Sequence, residues 1–418
     1  MINYLYIHIP FCIKKCVYCD FYSIPITPLL PPLAKGEIGG VIENYINALC
    51  KEIKLRRVKG QVYDPWVTTY RGSGVKNTDG MLKTIYIGGG TPTMLAEKDI
   101  SKILDAVGNH YSVRPEAEIT IEANPKTITL KKAEALLKAG INRISIGVQS
   151  FIDRELSILG RSHNADDAVK AVKDARDAGF KNISIDLIYG IPFFKSQISN
   201  LKSQIQSWEY SLQKALELNT EHISAYELTP EKNTPLHEDI SKGRLIMPDE
   251  EVIAEMYYRA IDMLTQRGYN HYEISNFAKP GYECIHNLNY WNRGEYLGVG
   301  SGAHSFFNDK RACNVKDVSQ YIEIVNKGEI PVTEETEITG DEALRETIFL
   351  GLRKTEGIDM SMMPDEKNRL IKKAADELAS HGLVESENNI LRLTRKGLLL
   401  SNEVIVRVLL YIEESRPL

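Results

Sequence analysis

No run of apolar residues in this 418-residue chain approaches the roughly 20 that a membrane-spanning helix needs, so a protein threaded through a bilayer is not expected. Basic charge is not in excess either. Lys and Arg number 51 against 56 Asp and Glu, a net charge of −5, which argues against a nucleic-acid binder. Cysteine is scarce. Six in the whole chain are too few and too dispersed for the disulfide framework of a small secreted protein. The first ten residues carry neither a basic leader nor a small-residue cleavage site, so a cytoplasmic protein is the default expectation. No internal repeat with a solenoid's period is evident.

What is present is ordinary material for a large core: 43% hydrophobic and 26% charged residues, enough for one large domain and a smaller one. Short β-branched runs at 4–9, 84–87, 118–122, 143–148, 182–188 and 222–227 alternate with amphipathic stretches at 43–59, 97–107, 130–139, 165–178 and 201–217. Such βα alternation predicts an α/β fold with a parallel sheet, doubly wound or curled as a barrel. Polar or glycine residues follow the strands: Cys12, Gly88 to Gly90, Glu122 and Asn124, Gln149, and Asp186. Ligands in such folds bind at the C-terminal strand ends, so these residues point to one rim. Segments 24–40, 58–80 and 193–206 break the pattern and read as insertions. After Pro248 the alternation fades: a helix is expected at 250–267, and from Asp341 the pattern is helical, with a hairpin at 383–393 turning around 387–389. That arrangement reads as a small helical domain with a wing.

Three of the six cysteines fall within eight residues, Cys12-Ile-Lys-Lys-Cys16-Val-Tyr-Cys19, directly after the first strand. Three thiolates on one loop suit three irons of a cubane cluster and leave the fourth iron open to the amino and carboxylate groups of a small molecule. The alternatives at this point are a structural zinc, which wants four ligands and here lacks an obvious second pair, or inert core cysteines.

This CxxxCxxC loop, with Tyr18 before the last cysteine and Tyr4-Leu-Tyr-Ile-His-Ile-Pro-Phe ahead of it, resembles the radical S-adenosylmethionine (SAM) superfamily. Within it the chain is similar to the branch that holds oxygen-independent coproporphyrinogen III oxidase and the HemW-type heme chaperones. The resemblance implies a partial (β/α)6 barrel over 1–240, an accessory segment over 241–335 and a mostly helical, winged-helix-like domain over 336–418. It implies a [4Fe–4S] cluster on Cys12, Cys16 and Cys19, and SAM against Tyr6, Tyr18, Gly89, Gly90, Thr91, Glu122, Gln149, Arg161 and Asp186. Arg161 has the planar fork suited to a carboxylate. No catalytic residue is assigned, and whether SAM is cleaved is left open.

Three features separate the two members of the branch. The oxidase carries a further cysteine where this chain has Phe21, and it has a long extension ahead of the triplet where only eleven residues precede Cys12. Cys284-Ile-His286-Asn-Leu-Asn-Tyr290-Trp291 resembles the HNxxYW heme-binding motif of the HemW type. His286 offers an axial nitrogen, and Tyr290 and Trp291 offer flat faces to a porphyrin. His304 reads as structural or near the SAM pocket. The expected function is therefore binding of haem and its delivery to haem-requiring apoproteins, with oxidative decarboxylation of coproporphyrinogen III as the alternative. The resemblance allows a homodimer, and a passing contact with a membrane protein is the most that is expected at a bilayer.

Overall fold

The computed structural model describes residues 2–26, 35–58, 80–194 and 201–413. In chain order the barrel elements are β1 Tyr4–Ile9, α1 Lys35–Val58, β2 Leu82–Gly89, α2 Glu97–His110, β3 Val113–Ala123, α3 Leu130–Lys138, β4 Arg143–Gln149, α4 Ala165–Ala178, β5 Ile183–Tyr189, α5 Leu201–Glu217, β6 His222–Glu227 and α6 Glu250–Thr265. Each strand sits beside the next one in sequence and parallel to it. The strand order never reverses, so there is no doubly wound switch point. Right-handed crossovers then put every helix on one face, and the other face curls around a lumen.

The strands explain this division. Arg143-Ile-Ser-Ile-Gly-Val-Gln and Ile183-Ser-Ile-Asp-Leu-Ile-Tyr alternate with a period of two. Leu5, Ile7, Ile85, Ile87, Ile121, Ile144, Ile146, Ile183, Ile185 and Ile223 are all buried in one apolar cluster with the helices. Thr84, Glu118, Thr120, Arg143, Ser145, Ser184, His222 and Ser224 are equally buried, but on the other side of the sheet. The barrel is thus apolar outside and polar inside.

Three later strands extend the sheet beyond the alternation seen in the sequence. β7 Asn270–Glu273 and β8 Asn276–Ala278 join antiparallel beyond β6. After α7 Ile285–Trp291, β9 Leu297–Val299 pairs parallel with β1 on its other side. Beyond these, β10 His304–Phe307, β11 Lys310–Asn314 and, after α8 Val318–Asn326, β12 Val332–Glu337 form an antiparallel sheet. The C-terminal part holds α9 Gly340–Gly351, α10 Asp365–Ser380, the hairpin β13 Val384–Glu387 and β14 Ile390–Leu393, and α11 Ser401–Glu413. The hairpin turns through Asn388 and Asn389, both at positive φ, as its sequence position led us to expect.

One expectation needs correction. Segment 24–40 is not irregular throughout, because the chain is helical from Lys35. Tyr45, Ile46, Ala48, Leu49 and Ile53 anchor that helix in the core, and extending a formed helix adds one hydrogen bond per residue. Segment 193–206 likewise becomes helix at Leu201. The middle of insertion 58–80 lies outside the described residues.

A buried polar knot ties α1 to the later strands. Glu52 and Arg56 are almost fully buried and 3.0 Å apart. Asn314 Nδ2 donates to Glu52 Oε1, while the Gly300 amide and the Tyr321 hydroxyl donate to Oε2. Every Glu52 lone pair is therefore directed. Arg56→Met should leave a buried carboxylate without its counter-ion and lower stability by about 3–5 kcal/mol, read as an earlier first transition in urea unfolding.

Candidate functional site

The loop carrying the cysteines leaves β1 at the C-terminal rim. Phe11 and Cys12 pair briefly with Ile24 and Pro25, which folds the loop back on itself. The glycines after β2 serve this loop. At Gly90 a Cβ would lie 2.4 Å from the Phe11 carbonyl oxygen, and at Gly89, with φ of 113°, 2.6 Å from the His8 ring. Only glycine lets the two strand ends approach so closely. Thr91 then donates its amide to Phe11 O at 2.7 Å and its hydroxyl to Cys12 Sγ at 3.6 Å.

β4 ends in a distortion that aims its last side chain. The register slips between Gly147 and Gln149, and Gln149 has a φ of 69°. A non-glycine residue in that region is held there by its surroundings, and a bulge turns a side chain out of the strand's alternation. Beside it Arg161 donates through Nη2 to Gly147 O at 2.7 Å and through Nη1 to Cys16 Sγ at 3.2 Å. Its Nε is buried without a partner among the described residues.

These groups surround one cavity of about 610 Å³, which Cys12, Cys16, Cys19, Tyr18, Gly89, Gly90, Thr91, Glu122, Gln149, Arg161 and Asp186 all line. Of the residues assigned from the sequence to SAM or haem, Tyr6, His286, Tyr290 and Trp291 do not line it. Tyr6 lies behind the wall, stacked on Tyr86 and bonded through its hydroxyl to His8 Nδ1 at 2.9 Å. His304 is exposed on β10 with Nε2 3.6 Å from Cys313 Sγ and lies outside this cavity. The lumen-facing Tyr86, Arg143, Ser145, His222, Ser224 and Tyr226 also line it, and went unnamed from sequence. Their signal was the polar partner of each isoleucine in the period-two strands.

Burial sets the charges here. Glu122 accepts from the Tyr86 hydroxyl at 2.9 Å and the Gly89 amide at 3.0 Å, yet burial outweighs both bonds and lifts its carboxyl to about 7. Burial raises Asp186 too, against bonds from Ser224 at 2.8 Å and Ser145 at 3.2 Å. The Cys12 and Cys19 thiols are pushed up by burial and, more weakly, by neighbouring cysteines. A cationic cluster reverses that trend, since bound metal favours thiolate. Among the described residues no three His, Cys, Asp or Glu side chains gather closely enough for a single metal ion. A cubane asks for something different, one sulfur at each of three separate irons. Three thiols on one loop, facing a cavity with an unpartnered guanidinium nitrogen, fit a cluster and the carboxylate of an amino acid beside it.

His286 lies at the opposite end. Its helix α7 packs against the beginnings of the strands, and the imidazole is 1% exposed. Nδ1 pairs with Thr84 Oγ1 at 2.6 Å and Nε2 with the Tyr290 hydroxyl at 2.9 Å, while the ring stacks on Tyr86 at 5.1 Å. Glu118 holds the helix start, accepting from the Ile285 and His286 amides at 3.1 and 3.2 Å. Burial, and next the Arg143 charge, push the imidazole down to about 3, so it is neutral, as a metal ligand must be. Sequence reasoning held this imidazole out toward a porphyrin. As folded, both nitrogens are engaged, and iron coordination requires one bond to open. Trp291 is half-buried with the Arg353 guanidinium 5.6 Å from its ring.

Two outcomes follow for the rim. Oxygen-free preparations of Cys12→Ala, Cys16→Ala or Cys19→Ala should lose most of the iron and acid-labile sulfide found in wild type, measured chemically. In cofactor-free protein, Glu122 is penalised when ionised: the loss is absent below about pH 4.5 and complete above about pH 7. Glu122→Gln should therefore gain on wild type between pH 5 and pH 8, by up to about 3 kcal/mol less whatever the amide loses at one of its two donors, read from melting temperatures at both pH values.

Comparisons with known proteins bear on this geometry. Residues 73–200 match the model of the Radical SAM superfamily, and residues 338–400 that of the HemN C-terminal domain. The chain is 36% identical to Heme chaperone HemW of Bacillus subtilis (strain 168) over 406 residues, 96% of this chain and 97% of the relative. It is 32% identical to Heme chaperone HemW of Mycobacterium tuberculosis (strain ATCC 25618 / H37Rv) over 408 residues, 97% and 94% of the two chains. The solved structure of coproporphyrinogen III oxidase (HemN) from Escherichia coli superposes with a TM-score of 0.77 at 24% identity, covering 98% of this chain and 89% of that one, which establishes the shared fold. With that fold and near full-length relatives, the chain belongs to the HemW family of heme chaperones within the radical SAM superfamily.

Proposed function

We infer that this chain binds haem and hands it to haem-requiring apoproteins in the cytoplasm; among the described residues no helix is long and apolar enough to cross a membrane. The observation that carries the reading is the match over nearly the whole length to relatives named as heme chaperones. It is supported by the placement of the Cys284–Trp291 segment against the lower end of the same lumen that the cysteines border. Cys12, Cys16 and Cys19 would hold a [4Fe–4S] cluster. When bound, that cluster supplies one iron free to chelate the amino and carboxylate groups of SAM. Arg161 would take the SAM carboxylate, and Gly89, Gly90, Thr91, Glu122, Gln149 and Asp186 would surround the rest, with Tyr6 and Tyr18 as supports.

His286 is the proposed iron ligand. Its neutral imidazole is ready to coordinate once the Tyr290 hydroxyl moves aside, and its bond to Thr84 fixes the ring from the other nitrogen, as second partners of ligating histidines do. Coproporphyrinogen oxidation is the weaker reading: the likeness to the oxidase is one of fold, and Phe21, 70% exposed at the cavity, stands where the oxidase has a cysteine. Haem titration should show His286→Ala binding at least tenfold more weakly than wild type, with unchanged circular dichroism. Equal affinity would remove the motif from the argument, and anaerobic conversion of coproporphyrinogen III by the reconstituted protein would favour the oxidase.

A further inference from the structure

Arg143 is the anomaly of the lumen. It opens β4, points inward, and is 2% exposed. Its Nε has no hydrogen-bond partner, and it forms no ion pair, among the described residues. A guanidinium taken out of water is unfavourable by several kcal/mol unless nearby charge offsets it, and here the Glu118 carboxylate favours the charge through space, without a direct bond. The nearby acids are otherwise engaged. Glu118 directs its oxygens at the Ile285 and His286 amides, and Asp186 accepts from Ser145 and Ser224. Glu122 accepts from Tyr86 and Gly89. Arg143 nonetheless lines the cavity, so its fork faces space that a ligand can fill.

The position excludes the aminoacyl end of SAM. Arg143 and Gln149 are the first and last residues of β4, and at roughly 3.3 Å per residue their backbones are about 20 Å apart along the strand. An amino acid chelated to a cluster on the cysteine loop would sit at the Gln149 end, where Arg161 touches Cys16. Arg143 rises from the other end. There Thr120, its partner in register, pairs with Tyr86, the residue on which His286 stacks. Asn287, next to His286, lines the same cavity.

We propose that Arg143 is a second carboxylate-binding residue of the lumen, and that it anchors a propionate of the haem whose iron is held by His286. This rests on the haem reading above and adds to it a polarity: the propionate edge faces the lumen and the iron faces α7. A planar two-oxygen group matches the guanidinium fork.

The test compares wild type, Arg143→Gln and His286→Ala in titrations with haem, haem dimethyl ester and SAM, together with ligand-free melting. Arg143→Gln is expected to bind haem roughly tenfold or more weakly, to bind the dimethyl ester as wild type does, and to keep SAM affinity. Because it removes a charge that its neighbours meet through space and not by a direct bond, its ligand-free melting temperature should stay close to that of wild type. A loss of SAM affinity instead, or haem affinity equal to wild type, would overturn the anchor; so would a ligand-free melting point well below wild type, which would make Arg143 a structural counter-ion of Glu118. If Arg143→Gln binds haem normally while His286→Ala does not, the haem reading stands and the anchor alone falls. If wild type takes up no haem, both fall.

Discussion

Alternation within six parallel strands is what the rest of the molecule depends on. Isoleucine, leucine and valine on one side of each strand can leave water only beneath helices, and same-handed crossovers put all the helices on that side. The polar side is then left to face itself around a lumen lined by Thr, Ser, Glu, Asp, Arg and His. Such a lumen is a poor hydrophobic core and a good container. Its buried polar groups are partly satisfied by one another, as in Asp186 with two serines, and partly unsatisfied, as in Arg161 and Arg143.

The container has two ends of different chemistry. At the C-terminal rim the backbone does the positioning: glycines let the β2 turn press on Phe11, and a bulge sets Gln149 at positive φ. At the other end side chains do it, with Glu118 holding the start of α7 and Thr84 and Tyr290 holding the His286 ring. Tyr86 spans them. Its hydroxyl reaches Glu122 near the rim while its ring supports His286 below.

Much of this was legible in the residues. The six strands and their helices fall where the β-branched runs and amphipathic stretches lie, because local pattern and tertiary burial agree there. The cysteine triplet and the glycine run were visible as motifs, and their meeting at one rim followed from their shared place after strands. The choice between barrel and doubly wound sheet was not legible, since periodicity is local and strand order is not. β9 escaped notice because three residues, Leu297 to Val299, carry too little pattern. Arg143 and Glu118 were hidden in plain view: each was read as part of a strand, while its side chain's direction emerges only when the sheet curls. The buried setting of His286 was equally non-local, depending on Thr84 some 200 positions earlier.

The seam between β1 and β9 has a consequence for how the chain comes into being. Leu5 lies in register with Leu297, and Glu52 waits for Gly300, Asn314 and Tyr321. During vectorial synthesis the first strand therefore leaves the ribosome with one edge bare until most of the polypeptide has followed it. A pairing between residues so far apart in sequence closes late, and unpaired strand edges invite aggregation in the interval. The chain thus passes through a long period in which its own nascent strands need protection.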